Sequence, residues 1–235
     1  MLTDQLTSNQ FSFACVTGSL CRLKGVGFTE DRLSSPAGPL PLSLGDVAVR
    51  LNGTAAPLLW AFPDEIAFQV PWEASGKQTV ELEPRTQSVF EHFPVELSVN
   101  SRDPAFWALP APYDRSGYGY PLSVAAHETF DSLVLPENPA RPGEIVHLYA
   151  TGFGSVAPAM RTGIPAPEDP LSWLLTPMDC KLGDVPVTIT YQGLAPGFVG
   201  LYQVSMRIPD FSGLAQIQCG NGQYLAHVPV QPPTR

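Results

Sequence analysis

The chain repeats itself after about 125 residues. Gly18-Ser19-Leu20-Cys21-Arg22-Leu23-Lys24-Gly25-Val26-Gly27-Phe28 returns as Gly143-Glu144-Ile145-Val146-His147-Leu148-Tyr149-Ala150-Thr151-Gly152-Phe153. Leu20 matches Ile145, Leu23 matches Leu148, and Phe28 matches Phe153. Further on, Arg50-Leu51-Asn52-Gly53 corresponds to Lys181-Leu182-Gly183-Asp184, and Ile66-Ala67-Phe68-Gln69-Val70-Pro71 to Val204-Ser205-Met206-Arg207-Ile208-Pro209. The offset grows only between matched blocks. Blocks that are strands, with extra residues placed in surface loops, produce this pattern. A unit of this size is a domain rather than a solenoid rung.

Composition fits that reading. The 235 residues suit two ordinary domains, each able to bury its own core. With 26 Pro and 20 Gly against 44% hydrophobic residues, the chain has many short apolar runs cut by turn residues. That is the signature of an all-β sandwich or barrel. Residues 47–51 alternate apolar and other side chains, and Asn52-Gly53 after them predicts a type I′ hairpin turn. Further strands are expected at 66–70, 80–82, 95–99, 145–149, 180–182, 187–191, 202–208 and 216–219. The last is expected to form a closing hairpin, through Gly220-Asn221-Gly222, with a strand at 224–230. Pro232-Pro233 ends the chain. The segments are 11–102 for the first unit, 103–138 for a bridge and 139–232 for the second unit. The bridge is rich in Pro, Gly and aromatics (Phe106, Trp107, Tyr113, Tyr118, Tyr120), so it is expected to pack rather than hang free, with a further strand at 122–125.

Charge excludes some partners. Thirteen basic residues stand against 22 acidic ones, a net charge of -9. Such a surface repels nucleic-acid phosphates and anionic lipid. No apolar run is long enough for a membrane-spanning helix. Residues 1–10 are polar, and the first six lack the basic and apolar regions of a signal peptide. That leaves two readings, a cytosolic protein or a mature piece of a larger one.

The four cysteines allow three pairings. Cys15 and Cys21 are close enough for a hairpin bridge. Cys180 and Cys219 share the inward parity of Leu182 and Ile217, so they form either a disulfide or two small buried apolar side chains in a reducing cell.

Two strings resemble a known family. Pro139-Ala140-Arg141-Pro142-Gly143-Glu144-Ile145-Val146, followed by Tyr149-Ala150-Thr151-Gly152-Phe153-Gly154, is similar to the start of the Solibacter-type uncharacterised C-terminal domain. Gly193-Leu194-Ala195-Pro196-Gly197-Phe198-Val199-Gly200-Leu201-Tyr202-Gln203-Val204 resembles that family's most distinctive string. The first unit, through 51–58 and 66–71, resembles the divergent copy found in tandem with it. The resemblance implies two immunoglobulin-like sandwiches of the IPT/TIG kind, found in larger secreted or surface bacterial proteins. It carries over no catalytic residues.

The sharpest local feature is the loop 193–200. Leu194, Pro196, Phe198 and Val199 could recognise a partner at one end of a sandwich. The plainer reading is a plug, with Phe198 buried between the domains. Strand parity turns His147 toward solvent. The remaining histidines, His92, His127 and His227, form no HExxH or closely spaced pair, and no Gly-x-Ser-x-Gly elbow is present. Thr29-Glu30-Asp31 and Glu168-Asp169 lack calcium-loop spacing and read as solvated charge. Asn52-Gly53-Thr54 is formally a glycosylation sequon, already accounted for by the hairpin turn. Trp60, Trp72, Trp107 and Trp173 would stack on glycan if coplanar and exposed, although isolated tryptophans more often pack in cores.

The expectation is therefore a non-catalytic tandem immunoglobulin-like module of a secreted or cell-surface protein. It would act as a spacer or adhesion domain, as a monomer or as part of a larger chain, with no cofactor and no metal. Its partner would be a protein or glycan surface, not nucleic acid. The alternative is a carbohydrate-binding accessory module of a polysaccharide-acting protein, and behind it a hydrolase with a site between the domains.

Overall fold

The computed structural model describes residues 15–83, 95–109, 120–220 and 224–232. Residues 1–10, His92, Tyr113, Tyr118, Asn221, Gly222 and Pro233 lie outside them. The described residues form strands and turns, without helix. Contacts divide the chain into two compact units. Unit 1 runs to Asp103 and includes Gly152–Ser172 and Leu194–Leu201; unit 2 holds Pro104–Thr151, Trp173–Gly193 and the chain from Tyr202 onward.

Unit 1 carries β1 (Leu20–Lys24), β2 (Leu33–Ser34), β3 (Ser43–Leu44), β4 (Val47–Leu51), β5 (Thr54–Ala56), β6 (Leu58–Ala61), β7 (Glu65–Gln69), β8 (Gly76–Glu83) and β9 (Val95–Val99). One sheet has the order β1-β7-β6-β2, the other β3-β4-β8-β9 with β5 also on β4. Strand β4 shows why the sequence folds this way: Val47, Val49 and Leu51 are buried, while Ala48 and Arg50 are half-buried. Val49, Leu51, Val80, Leu97 and Val99 of one sheet share a hydrophobic core with Leu23, Ile66 and Phe68 of the other. Each such side chain contributes about 1.5–3 kcal/mol when fully buried.

The turn after β4 is the expected one. Asn52 and Gly53 both have positive φ, 46° and 79°, and Leu51 pairs with Thr54 across them. Both residue types tolerate that backbone. Asn52 Oδ1 accepts the Thr79 amide at 2.7 Å, and Nδ2 donates to the Lys77 carbonyl. The side chain thereby carries the β4–β8 ladder one residue beyond the strand.

Unit 2 carries β10 (Ala105–Phe106), β11 (Ala125–Ala126) and β12 (Ile145–Thr151). The next strand, β13 (Val156–Ala157), falls in the segment belonging to unit 1. Then follow β14 (Trp173–Leu174), β15 (Cys180–Leu182), β16 (Val185–Pro186), β17 (Thr188–Leu194), β18 (Tyr202–Arg207), β19 (Gly213–Cys219) and β20 (Tyr224–Val230). One sheet runs β10-β12-β18-β17-β14, with β11 on β12; the other runs β16-β15-β19-β20. Two pieces of the aromatic-rich segment, β10 and β11, thus add to the edge of β12.

The repeat is visible in the pairing. Leu23 opposes Ile66 in unit 1, and their counterparts Leu148 and Val204 oppose each other in unit 2. Leu20 opposes Gln69, as Ile145 opposes Arg207. The hairpin contact Leu51–Thr54 recurs as Leu182–Val185. Matched blocks keep register because a slip of one residue would turn every core side chain outward.

Candidate functional site

Both disulfides are formed. Cys15–Cys21 closes a short loop at the start of unit 1, with Cα atoms 5.2 Å apart. Cys180 and Cys219 stand directly opposite each other on β15 and β19, Cα atoms 4.1 Å apart. All four are buried.

The loop 193–200 divides its apolar residues. Leu194 and Val199 are buried, while Phe198 is 53% exposed, against the expectation that it is buried. The cause is local. Ala195-Pro196-Gly197-Phe198 closes a turn through the Phe198 amide and Ala195 carbonyl. Pro196 sets φ at the second position and Gly197 supplies the positive φ (81°) required at the third. The turn is clamped by Ala166, whose amide donates to the Phe198 carbonyl and whose carbonyl accepts from Gly197. That geometry holds Phe198 at the tip.

The four tryptophans have separate surroundings. Trp60 stacks on Phe62 at 5.7 Å and donates Nε1–H to Glu65, while the Arg32 guanidinium lies over the Phe62 ring. Trp72 lies against Gly18, where a Cβ would meet the indole at 2.3 Å, so only glycine fits. Trp107 is half-buried, its amide bonded to the Tyr149 carbonyl. Trp173 is 48% exposed and stands edge-on to Tyr191, whose hydroxyl burial pushes up to about 12.

The chemistry-bearing side chains of unit 2 gather on the second face of β12 and β18. His147, expected to face solvent, is only 8% exposed. Val146 and Leu148 point the other way, as strand alternation predicts, but the face that carries His147 is also covered. Phe130 stacks on the imidazole at 3.8 Å with an interplanar angle of 11°, and Glu128 lies behind Nε2.

The hydrogen bonds fix the protons. The Glu128 carbonyl beside Nε2 can only accept, so Nε2 carries the proton of the neutral ring and Nδ1 accepts the Ser205 hydroxyl at 2.8 Å, whose oxygen in turn accepts Gln203 Nε2–H at 2.9 Å. His147 Nε2–H then donates to the Glu128 carbonyl at 3.2 Å. This chain is complete for a neutral imidazole. Burial holds the His147 pKa below its usual value, opposed by the Glu128 carbonyl and by the Glu128 and Glu144 charges. Ser205 is buried in the middle of β18, directly opposite His147. The pair has the distance of a nucleophile and base, yet the hydroxyl is engaged on both sides within the strand pair.

Above this face, residues 127–132 form a hairpin loop closed by the Ala126–Leu133 bridge. The Phe130 amide donates to the His127 carbonyl, and the His127 amide to the Ser132 carbonyl. His127 Nδ1 lies 2.6 Å from Glu144 Oε1, and its Nε2 is 3.1 Å from the Asn138 carbonyl. Glu144 Oε2 also accepts the Arg141 amide. The loop and the segment 138–144 enclose a hollow of about 550 Å³ whose wall is mainly polar. That volume lies within the usual range of small-molecule sites. Phe130 itself has φ of 58°, a backbone that costs a bulky residue about 1–3 kcal/mol. The sequence pointed to none of this; its one available signal is an aromatic residue set between polar neighbours, Thr129 and Asp131.

No protein-family model matches this chain, and no curated protein matches it. Among the described residues, no cluster of His, Cys, Asp and Glu is arranged to hold a metal ion. No helix there is long and apolar enough to cross a membrane.

Proposed function

We propose that this chain is a non-catalytic interaction module, built from two immunoglobulin-like β units and working outside the reducing cytosol. The observation that carries the reading is the pair of buried disulfides, one in each unit. Such bonds persist in oxidising compartments and are reduced in the cytosol of most cells. The immunoglobulin-like assignment is supported by two features of both units: antiparallel sheets in a common order, and a hairpin at the same place in the repeat. The resemblance to the Solibacter-type C-terminal domain and its IPT/TIG relatives points the same way. The non-catalytic part is supported by the burial of Ser205 and His147 and by the Gln203–Ser205–His147 chain, which engages the serine hydroxyl within the strand pair. The module acts by adhesion, spacing or presentation, alone or as part of a larger chain, toward a protein or glycan surface.

The test has two arms. Protein taken from its native cells is alkylated before reduction, and its thiols are counted by mass spectrometry. Four alkylated cysteines would defeat the extracytoplasmic reading. The purified chain is then screened against ester, glycoside and peptide substrates. Turnover lost in Ser205→Ala would defeat the non-catalytic one.

A further inference from the structure

His127 meets an acceptor at each ring nitrogen. The Asn138 carbonyl, 3.1 Å from Nε2, can only accept, so Nε2 donates there. The partner of Nδ1 is Glu144 Oε1 at 2.6 Å. That carboxyl group already faces backbone donors at both oxygens, the Glu128 amide at Oε1 (3.4 Å) and the Arg141 amide at Oε2 (2.8 Å). A carboxyl group that receives N–H at both oxygens is the ionised form, so Nδ1 donates as well. An imidazole that donates at both nitrogens is the charged ring. His147 differs, because the partner of its Nδ1 is a hydroxyl that can donate.

These bonds tie the loop 127–132 to the segment 138–144 ahead of β12. The His127 and Glu144 side chains are only 13% and 12% exposed, so the pair is screened less than a surface ion pair. The loop in turn covers His147: the Phe130 ring lies flat on the imidazole, and the Glu128 carbonyl takes its Nε2–H. Phe130 keeps its positive φ there, a conformation that persists only where the surroundings impose it. The charged groups beside His127 are Glu144, Glu128 and Asp131, with Arg141, and all line the same hollow. The Ser132 hydroxyl, then Thr129, hold Asp131 below the usual carboxylate range. Under the loop, burial keeps His147 below its usual value.

We propose that His127 is a proton-operated latch: its charged ring holds the loop 127–132 closed over His147, and loss of a ring proton frees the loop. The neutral ring keeps one bond and turns a lone pair on the other acceptor, and an ion pair becomes a contact of one charge. The sign is fixed by that chemistry. The loop is closed on the acid side of the His127 titration and loosens on the alkaline side. The proposal concerns this loop alone and stands apart from the interaction reading.

The test is NMR spectroscopy of the full chain between about pH 5.5 and about pH 8.5, either side of the ordinary histidine range. Ring nitrogen shifts of His127 and His147 report their protons. Exchange protection of the Glu128 and Phe130 amides, corrected for the intrinsic rate at each pH, reports the loop. At the acid end both His127 nitrogens are expected to carry protons, and the two amides to be protected at least about tenfold more than at the alkaline end. Protection should follow the His127 titration curve, and His127→Gln should remove the pH dependence. The latch is overturned if His127 carries one proton at the acid end, if protection is flat across the range, or if its midpoint follows His147. It is also overturned if His127→Gln protects both amides like the parent chain at the acid end. The first three outcomes need no variant, so they decide the matter even if His127→Gln does not fold.

Discussion

Replacing Cys180 and Cys219 together by alanine keeps small apolar side chains at both buried positions and removes only the cross-link. The bond spans 39 residues of sequence. Loop-closure entropy for that length corresponds to about 4 kcal/mol near room temperature. The Cys15–Cys21 bond spans 6 residues, which corresponds to about 2 kcal/mol. The two bonds therefore differ in strength of effect, and they act in different units. Native-state hydrogen exchange resolves this, because β19 and β20 report on unit 2 while β1 and β7 report on unit 1. In Cys180→Ala/Cys219→Ala, the slowest amides of β19 and β20 should exchange faster by roughly three orders of magnitude. In Cys15→Ala/Cys21→Ala, those of β1 and β7 should accelerate by roughly 30-fold. A smaller effect from the longer loop would refute the entropic argument. So would acceleration of β19 and β20 by less than tenfold, since it would mean the β15–β19 pairing holds without its bond.

Three further outcomes follow from the same geometry. Leu194→Ala should lower stability by about 2–5 kcal/mol, whereas Phe198→Ala should change it by less than about 1 kcal/mol because the ring is half exposed; chemical denaturation compares them. Ser205→Ala leaves Gln203 without its acceptor and His147 Nδ1 without its main donor, and should cost about 1–3 kcal/mol while moving the His147 ring resonances in an NMR spectrum. His147 and His227 both titrate below their usual value because of burial, so the unfolded chain binds protons that the folded one does not. Stability is then full above the unfolded pKa of about 6.5 and falls as pH drops below it; the loss continues to the folded values, and His147→Gln should flatten part of the slope measured by thermal melts.

Much of the fold was legible in the sequence, for physical reasons. Val47, Val49 and Leu51 read as one face of a strand because the side-chain period of a strand is two. Asn52-Gly53 read as a type I′ turn because few residue pairs accept two positive φ angles. The repeat predicted equivalent pairing in the two units, and the registers match it. Phe198 was misjudged because hydrophobicity alone says bury, while Pro196-Gly197 writes a turn that holds the ring at its tip. Phe130 carried no signal of its backbone, because φ there is imposed by hydrogen bonds closing from residues 127 and 132.

The misplacement of His147 has a more general cause. Alternation says which side chains oppose the core, but not whether the second face of a sheet is covered. Here it is covered by chain from elsewhere in the sequence, and the polar residues on it anchor that chain. His147 bonds the Glu128 carbonyl across 19 positions. In unit 1 the same device recurs. Gln69, on the buried strand β7, donates to the Gly18 carbonyl and accepts the amide of Gly163, which is 94 positions away. A covering loop must satisfy its own backbone groups once water is excluded, and outward polar side chains of the central strands are the nearest partners. The buried polar residues Gln69 of β7 and His147 of β12 are therefore docking points for loops.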